Sequence, residues 1–262
     1  MYFFTALLFE SLAASQAAQV PLQPQSHFAS DPLSAGGFTY TGVTGPLGWA
    51  GLSPDNKLCA TGSYQSPVNL DASIWVPKTN PWVSIPDGYG SFENTGHTVE
   101  VAAVGTTVFD GRTYQLKQLH FHAPSEHRIN EEFYPLEVHF VHEAADGVKL
   151  VLGATFEIST NGATTDLVQV LGSHVYQIAA PGSKVYVPYI RVQQVVNFFR
   201  TTRLYQYWGS LTTPPCSEGV VWLVAQNPLP IDVSSYLAFK KVINVEPVWR
   251  EVTPLPAGDV SF

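Results

Sequence analysis

Apolar and polar side chains alternate at every second residue in several short runs, and this marks them as strands. These are "HTVEVAAV" (97–104), "TYQLKQLHFH" (113–122), "LEVHFVHEA" (136–144) and "LVLGATFEI" (150–158). "VVWLVAQNPLPI" (220–231) is almost continuously apolar and reads as a buried strand ending at a proline. Two segments switch to a helical period. "TDLVQVLGSHVYQI" (165–178) opens on a Thr-Asp start signal, and "VQQVVNFFRTT" (192–202) is amphipathic. Both are peripheral to a β core. No Pro/Gly linker divides the folded part. The pattern therefore predicts a mostly β (α+β) fold: one domain with a large central, mainly antiparallel twisted β-sheet and peripheral short helices.

The same alternation sorts the histidines. Along "YQLKQLHFH" it puts Gln118, His120 and His122 on one face and Leu119 and Phe121 on the other. In "LEVHFVH", Glu137, His139 and Val141 share a face, and Val138, Phe140 and His142 take the opposite one. A loop of about a dozen residues joins the two runs, so they can pair antiparallel and set His139 across from the H-x-H pair. Three imidazoles with a fourth position open form the ligand set of a catalytic zinc. Gln118 and Glu137 each precede a ligand by two residues, where acceptors for the second ring N–H belong. The alternative is histidine-rich structural packing. His142 faces away from the set and suits a hydrogen bond in the core. His127 follows the first strand and also reads as structural, while His27 and His174 have no supporting context.

Composition narrows the class. The chain has 262 residues, 45% hydrophobic and 13% charged, which suits a globular domain with a substantial core. Twenty Gly and twenty Pro point to turns and extended segments. A net charge of -8, with no run of like charges, argues against nucleic acid as a partner. Residues 1–18 resemble a secretory signal peptide, an apolar stretch followed by small residues, and 19–35 read as a flexible lead-in to a domain spanning 36–262. No stretch is long and apolar enough for a membrane span. With a secretory start, Cys59 and Cys216 read as one disulfide, with two buried thiols as the alternative.

At these residues the sequence resembles the α-class carbonic anhydrases of secreted bacterial and fungal type. The likeness runs in order through "FTYTG" (38–42) with Trp49, "GSYQSPVNL" (62–70), "NTGH" (94–97), "QLHFHAPSEH" (118–127), "LEVHFVH" (136–142) and "GSLTTPPCSEGVVW" (209–222), and covers roughly residues 36 to 250. The resemblance implies reversible hydration of carbon dioxide to bicarbonate through a zinc-bound hydroxide. It makes His120, His122 and His139 the Zn2+ ligands, backed by Gln118 and Glu137 and by the backbone of Asn244. Thr212 would bond the hydroxide and hand its own proton to Glu126. His97 takes the place of the proton shuttle, Thr213 the mouth of the site and Tyr40 its water network. Val141, Val151, Leu211, Val220 and Trp222 take the place of the apolar wall that receives carbon dioxide. Cys59 and Cys216 match the disulfide of secreted members. The implied partners are carbon dioxide and bicarbonate, and the implied assembly is a monomer or homodimer. A non-catalytic binding module of the same fold is the alternative, separated from the enzyme by whether the ligand triad is complete.

Several positions depart from the family pattern. "NVEPVW" (244–249) has Glu246 and Trp249 where Arg and Gln are usual, and Phe38 stands where Trp is usual. Trp208 replaces a smaller residue and is expected to reshape the loop behind Thr212. The connections "APSEH" and "EAADG" are short, and this suggests an open rim.

Overall fold

The computed structural model describes residues 37–243. The signal-like segment, His27, Asn244, Glu246 and Trp249 lie outside the described residues. Among the described residues, strands dominate. In chain order they are β1 (Asn69–Leu70), β2 (Trp82–Ser84), β3 (Gly88–Asn94), β4 (Val99–Val101), β5 (Thr106–Phe109), β6 (Arg112–His122) and β7 (Arg128–Ile129). Then come β8 (Glu132–Phe133), β9 (Leu136–Ala144), β10 (Lys149–Ile158), β11 (Lys184–Ile190), β12 (Leu204–Ser210), β13 (Glu218–Ala225) and β14 (Leu229–Ile231). The helices are short: α1 (Trp49–Leu52), α2 (Leu58–Thr61), α3 (Asp166–Gly172), α4 (Gln193–Thr201) and α5 (Val233–Ile243).

An 11-stranded sheet carries the fold. Its main path runs β11-β3-β4-β6-β9-β10-β13-β12, with β2, β5 and β14 off the path. Most pairs are antiparallel, but β13 and β14 both run parallel to β10. The helices cover one face, where Phe239 of α5 packs on Phe121 at 4.8 Å and Phe199 of α4 on Phe140 at 5.6 Å. The opposite face of β9, β10 and β13 holds a smaller apolar cluster of Val141, Val151, Val220, Trp222 and their neighbours. The central strand β9 is therefore buried on both faces.

Three sequence expectations change. The apolar run at 220–231 is two strands. β13 ends at Ala225, and β14 resumes at Leu229 after a turn through Asn227-Pro228, a pair that favours turns and lacks a ladder N–H. The helix expected over 165–178 is capped by the Thr165 side chain but stops at Gly172. Ser173 and His174 then hydrogen-bond the Val170 carbonyl, and a 3-10 turn follows at Val175–Ile178. The strand expected from 97 contracts to Val99–Val101, because Asn94, Thr95 and Gly96 form a tight turn. Gly96 sits at φ +88°, and its N–H donates to the Asn94 side chain. His97 is thus a turn residue.

Several elements lie outside the expected runs, β5 among them. β5 and β6 form a hairpin closed by Asp110 (φ 48°) and Gly111 (φ 71°), the left-handed pair that two-residue hairpins prefer.

Candidate metal centre

The register of β6 against β9 builds the site. His120 pairs directly with His139, and His122 pairs with Glu137. A bulge between Leu116 and Gln118 breaks this register. On one side of it Leu119 and Phe121 belong to the helix-covered core, and on the other Tyr114 and Leu116 do. The extra residue, Lys117, thus lets β6 keep its apolar side chains in the core while the ligand stretch stays in step with β9.

The ligand atoms of His120, His122 and His139 lie within 4.8 Å of one another. Two of the rings have their free nitrogen chosen by a neighbour. His120 Nδ1–H donates to Gln118 Oε1 at 2.8 Å, leaving Nε2 as the lone-pair atom. His139 Nε2–H donates to Glu137 Oε1 at 2.8 Å, leaving Nδ1. The third ring carries a buried Nε2 without a hydrogen-bond partner. A buried polar atom left in that state is costly unless something else ligates it. Burial, reinforced by the neighbouring imidazoles, pulls the His120 pKa down to about 3 and that of His122 well below its ordinary value. Burial also lowers His139, against the opposing pull of Glu137. All three rings are therefore neutral at physiological pH, the state in which an imidazole can ligate a metal. A three-nitrogen donor set of this kind fits a zinc ion with an open position.

Glu137 is the hub behind the ligands. It is fully buried, and burial alone would raise its pKa. His127 and His139 outweigh that and hold it well below the ordinary carboxylate range. Its Oε1 accepts from His139 and, at 2.7 Å, from His127 Nδ1; its Oε2 accepts from the backbone N–H groups of Glu126 and His127. His127 Nε2 meets the Tyr207 hydroxyl at 2.6 Å, and that hydroxyl lies 2.9 Å from Ser66 Oγ. Ser66 and Ser210 exchange two bonds of 2.9 and 3.0 Å, and the Trp222 indole N–H donates to the Ser210 carbonyl. A ligand histidine is thus tied through buried groups to the strand end that carries Leu211 and Thr212. His127, Glu137 and His139 also cluster tightly. Glu137 Oε1 serves both rings, its Oε2 serves two backbone N–H groups and His127 Nε2 is taken by Tyr207, so this cluster is a hydrogen-bonded chain.

The remaining expected residues fall around this frame. Glu126 is partly buried beside the three histidines, its Oε1 3.4 Å from His122 Nδ1 and its Oε2 3.9 Å from His139 Nδ1. Thr212 is buried in the turn after β12; Thr213 is half-buried and its carbonyl accepts from Cys216 N–H. Val141, Val151, Val220 and Trp222 form one cluster against which Leu211 packs. His97 is half-buried and stacks on Phe38, with ring centroids 4.0 Å apart. Burial lowers its pKa. Phe38 in turn meets Trp49 edge-on at 5.3 Å, and Tyr40 meets Trp49 at 5.8 Å. Cys59 and Cys216 are joined in a disulfide. Gln65 ties the same loop down by donating to the Cys216 carbonyl and to Glu218.

His142 is a core residue, as its face implied. Nδ1–H donates to the Phe140 carbonyl, and Nε2 accepts from the Thr107 hydroxyl at 3.0 Å. His174 lies at the end of α3, away from the metal face. Trp208 corrects an expectation. Alternation along β12 turns it away from Tyr207 and Gly209, and it is 41% exposed, so it does not pack behind Thr212. Gly209 is what shapes that side, because a Cβ there would collide with Ser66 Oγ and the Tyr207 ring. Sequence reasoning missed Glu100, which pairs with His120 across β4 and β6 on the metal face. Its pKa is raised by burial and by Glu93, with Lys184 opposing. It also missed the partners of His127. No local pattern reveals either, since each depends on strands far apart in sequence.

Comparison with known proteins agrees with this geometry. The family profile for eukaryotic-type carbonic anhydrases matches residues 44–255. A carbonic anhydrase of Pectobacterium atrosepticum is 36% identical over 219 residues, covering 82% of this chain and 86% of its own. One from Neisseria gonorrhoeae is 36% identical over 222 residues, covering 83% and 84%. Among solved structures, the fungal α carbonic anhydrase of Aspergillus oryzae superposes with a TM-score of 0.77 at 34% identity, over 81% of this chain and 94% of its own. The α carbonic anhydrase of Thermovibrio ammonificans, solved in complex with the inhibitor sulfanilamide, superposes with a TM-score of 0.75 at 33% identity, over 86% and 98%.

Proposed function

Because the chain belongs to the α-class carbonic anhydrases, a family of enzymes, we propose that it interconverts carbon dioxide and bicarbonate with zinc held by His120, His122 and His139. The observation that carries this reading is the complete triad of buried, neutral imidazoles with its two oriented acceptors. The completeness of that triad also speaks against the binding-module alternative. Zinc bound there supplies Lewis acidity, which makes hydroxide available near neutral pH for attack on the carbon of carbon dioxide.

The chain's own residues do the rest. Gln118 and Glu137 hold the ring tautomers of His120 and His139, so two lone pairs converge without reorganisation. Asn244 is assigned the same service through its backbone. Glu126 would accept a hydrogen bond from the Thr212 hydroxyl, which leaves that hydroxyl oxygen as an acceptor facing the attacking oxygen. Thr213 lies at the mouth, and Tyr40 orders the water beside it. Val141, Val151, Leu211, Val220 and Trp222 offer carbon dioxide an apolar wall, suited to a small molecule without charge. His97 carries the released proton outward, since an imidazole exchanges protons near neutrality. Its lowered pKa favours release to buffer. The disulfide supports an oxidising compartment and so the secreted reading, with residues 1–18 as signal and 36–262 as the mature domain.

Stopped-flow hydration of carbon dioxide tests the activity, with an aromatic sulfonamide expected to block turnover. Zinc-loaded protein that does not turn over would remove the enzyme reading and favour the binding module. His97→Ala is expected to slow turnover in weak buffer and to recover with added imidazole; an equal rate in both buffers removes the shuttle role.

A further inference from the structure

Strand β11 ends the main path of the large sheet, so among the described residues it is paired on one side only, to β3. Its register against β3 breaks between Val187 and Ile190. A strand held from one side opens more readily than a central one. The strand at the other end of the path, β12, leads into the loop that the disulfide pins.

Two tyrosines join β11 to β3. Tyr186 pairs with Ser91, and strand alternation puts Tyr89, two residues before Ser91, on the same face. Diagonal neighbours on paired strands stay within reach when they carry aromatic side chains. The two rings stack with centroids 5.6 Å apart and planes 30° apart. Among the described residues they are the one pair of tyrosines in ring contact. Both are open to solvent, Tyr89 at 73% and Tyr186 at 60% exposure. Other exposed aromatic rings carry a cation on their face: Arg200 lies 4.6 Å from the Trp82 centroid and Lys241 5.8 Å from that of Tyr176. A cation so placed opposes the loss of an electron from the ring. Lys184, two residues before Tyr186, is instead held by Glu93 at 2.6 Å.

We propose that Tyr89 and Tyr186 are an oxidative coupling site, at which a peroxidase-class one-electron oxidant joins the two rings as dityrosine and staples the edge strand to the sheet. Each phenol loses one electron and one proton and becomes a phenoxyl radical, with spin on the carbons next to the oxygen-bearing one. The two radicals join through one such carbon each, and the displaced ring hydrogens pass to the phenol oxygens. Hydrogen peroxide takes up the two electrons and two protons and leaves as two waters. The chain therefore loses two hydrogen atoms and gains one carbon–carbon bond. Exposed side chains change rotamer within nanoseconds, which lets the stacked rings meet edge to edge while the strands hold their Cβ atoms in place. The site is separate from the metal centre and does not depend on the activity proposed for it.

The test treats the zinc-loaded full chain, at low concentration, with peroxidase and limiting hydrogen peroxide. Dityrosine fluorescence, intact mass and mapping of cross-linked peptides are read. The expected product is a monomer lighter by two hydrogen atoms, with Tyr89 and Tyr186 in the linked peptides. Tyr89→Phe and Tyr186→Phe are each expected to abolish it, since phenylalanine has no phenolic hydrogen to lose. Tyr189→Phe is expected to leave it, because Tyr189, although 54% exposed, turns its hydroxyl to Asp87. Unfolding the wild-type chain in urea before oxidation is also expected to abolish it, and this tests proximity without any substitution. In the coupled monomer, amide hydrogen exchange across Lys184–Ile190 is expected to slow. The proposal is overturned by no dityrosine, by linkage through other tyrosines or only between chains, or by an equal yield in urea. A coupled monomer whose β11 amides exchange as before overturns the staple.

Discussion

Glu137 is the residue on which the site turns, because one carboxylate orients a ligand ring, a second histidine and two backbone N–H groups. Glu137→Gln keeps the shape but turns an acceptor oxygen into a donor facing an imidazole N–H. Zinc affinity, measured by competition with a chelator, should fall about 10- to 100-fold, the usual cost of losing such a partner. His142 gives a pH dependence. Burial lowers its pKa to about 4, so the folded state resists protonation that the unfolded chain accepts near 6.5. Its contribution is intact above that value and is lost as pH falls toward 4, by about 3 kcal/mol in all. Urea unfolding from pH 7 to 4 should therefore show a shallower loss of stability in His142→Gln than in wild type. Parallel slopes would remove this assignment.

At the scale of elements, the bulge in β6 sets which face each side chain takes. Deleting Lys117 would leave Leu116 opposite His142 and Tyr114 opposite Ala144, so β6 and β9 would pair in one continuous register with both side chains still in the core, where Tyr114 is 4% and Leu116 6% exposed. The unfolding midpoint in denaturant is therefore expected to change by no more than about 1 kcal/mol in stability. A loss of the size that exposing two large apolar side chains would cost, about 3 to 6 kcal/mol, would contradict Lys117 as the extra residue. The disulfide closes a sequence separation of 157 residues and pins the loop after Thr212 to α2. Cys59→Ser with Cys216→Ser is expected to lose about 2 to 5 kcal/mol. The strand pair β6–β9 and its cluster of three histidines were legible in the sequence, since a period of two sorts Gln118, His120, His122, Glu137 and His139 without outside information. The bulge was not legible, because Lys117 looks like any polar strand residue until β9 supplies the partner register. The break at Asn227-Pro228 was readable from turn chemistry, but the apolar run on either side of it concealed the break.

At the scale of the whole molecule, one sheet separates two kinds of work. Its helix-covered face buries the larger core, and the other face holds the three clustered histidines beside a smaller apolar cluster. The mostly β, single-domain architecture followed from strand periodicity, whereas the parallel placement of β13 and β14 on β10 followed from nothing local. The same holds for the link from His139 through Glu137, His127 and Tyr207 to Ser66, whose members lie as far apart as positions 66 and 207. Among the described residues no helix is long and apolar enough to cross a membrane. The central claim is that His120, His122 and His139 hold the zinc on which carbon dioxide hydration depends. It is tested most directly by titrating metal-free protein with zinc and following hydration by stopped flow. Turnover should rise linearly to a plateau at about one zinc per chain, and His122→Ala should abolish the plateau. Turnover by metal-free protein, or none at a full zinc complement, would contradict it.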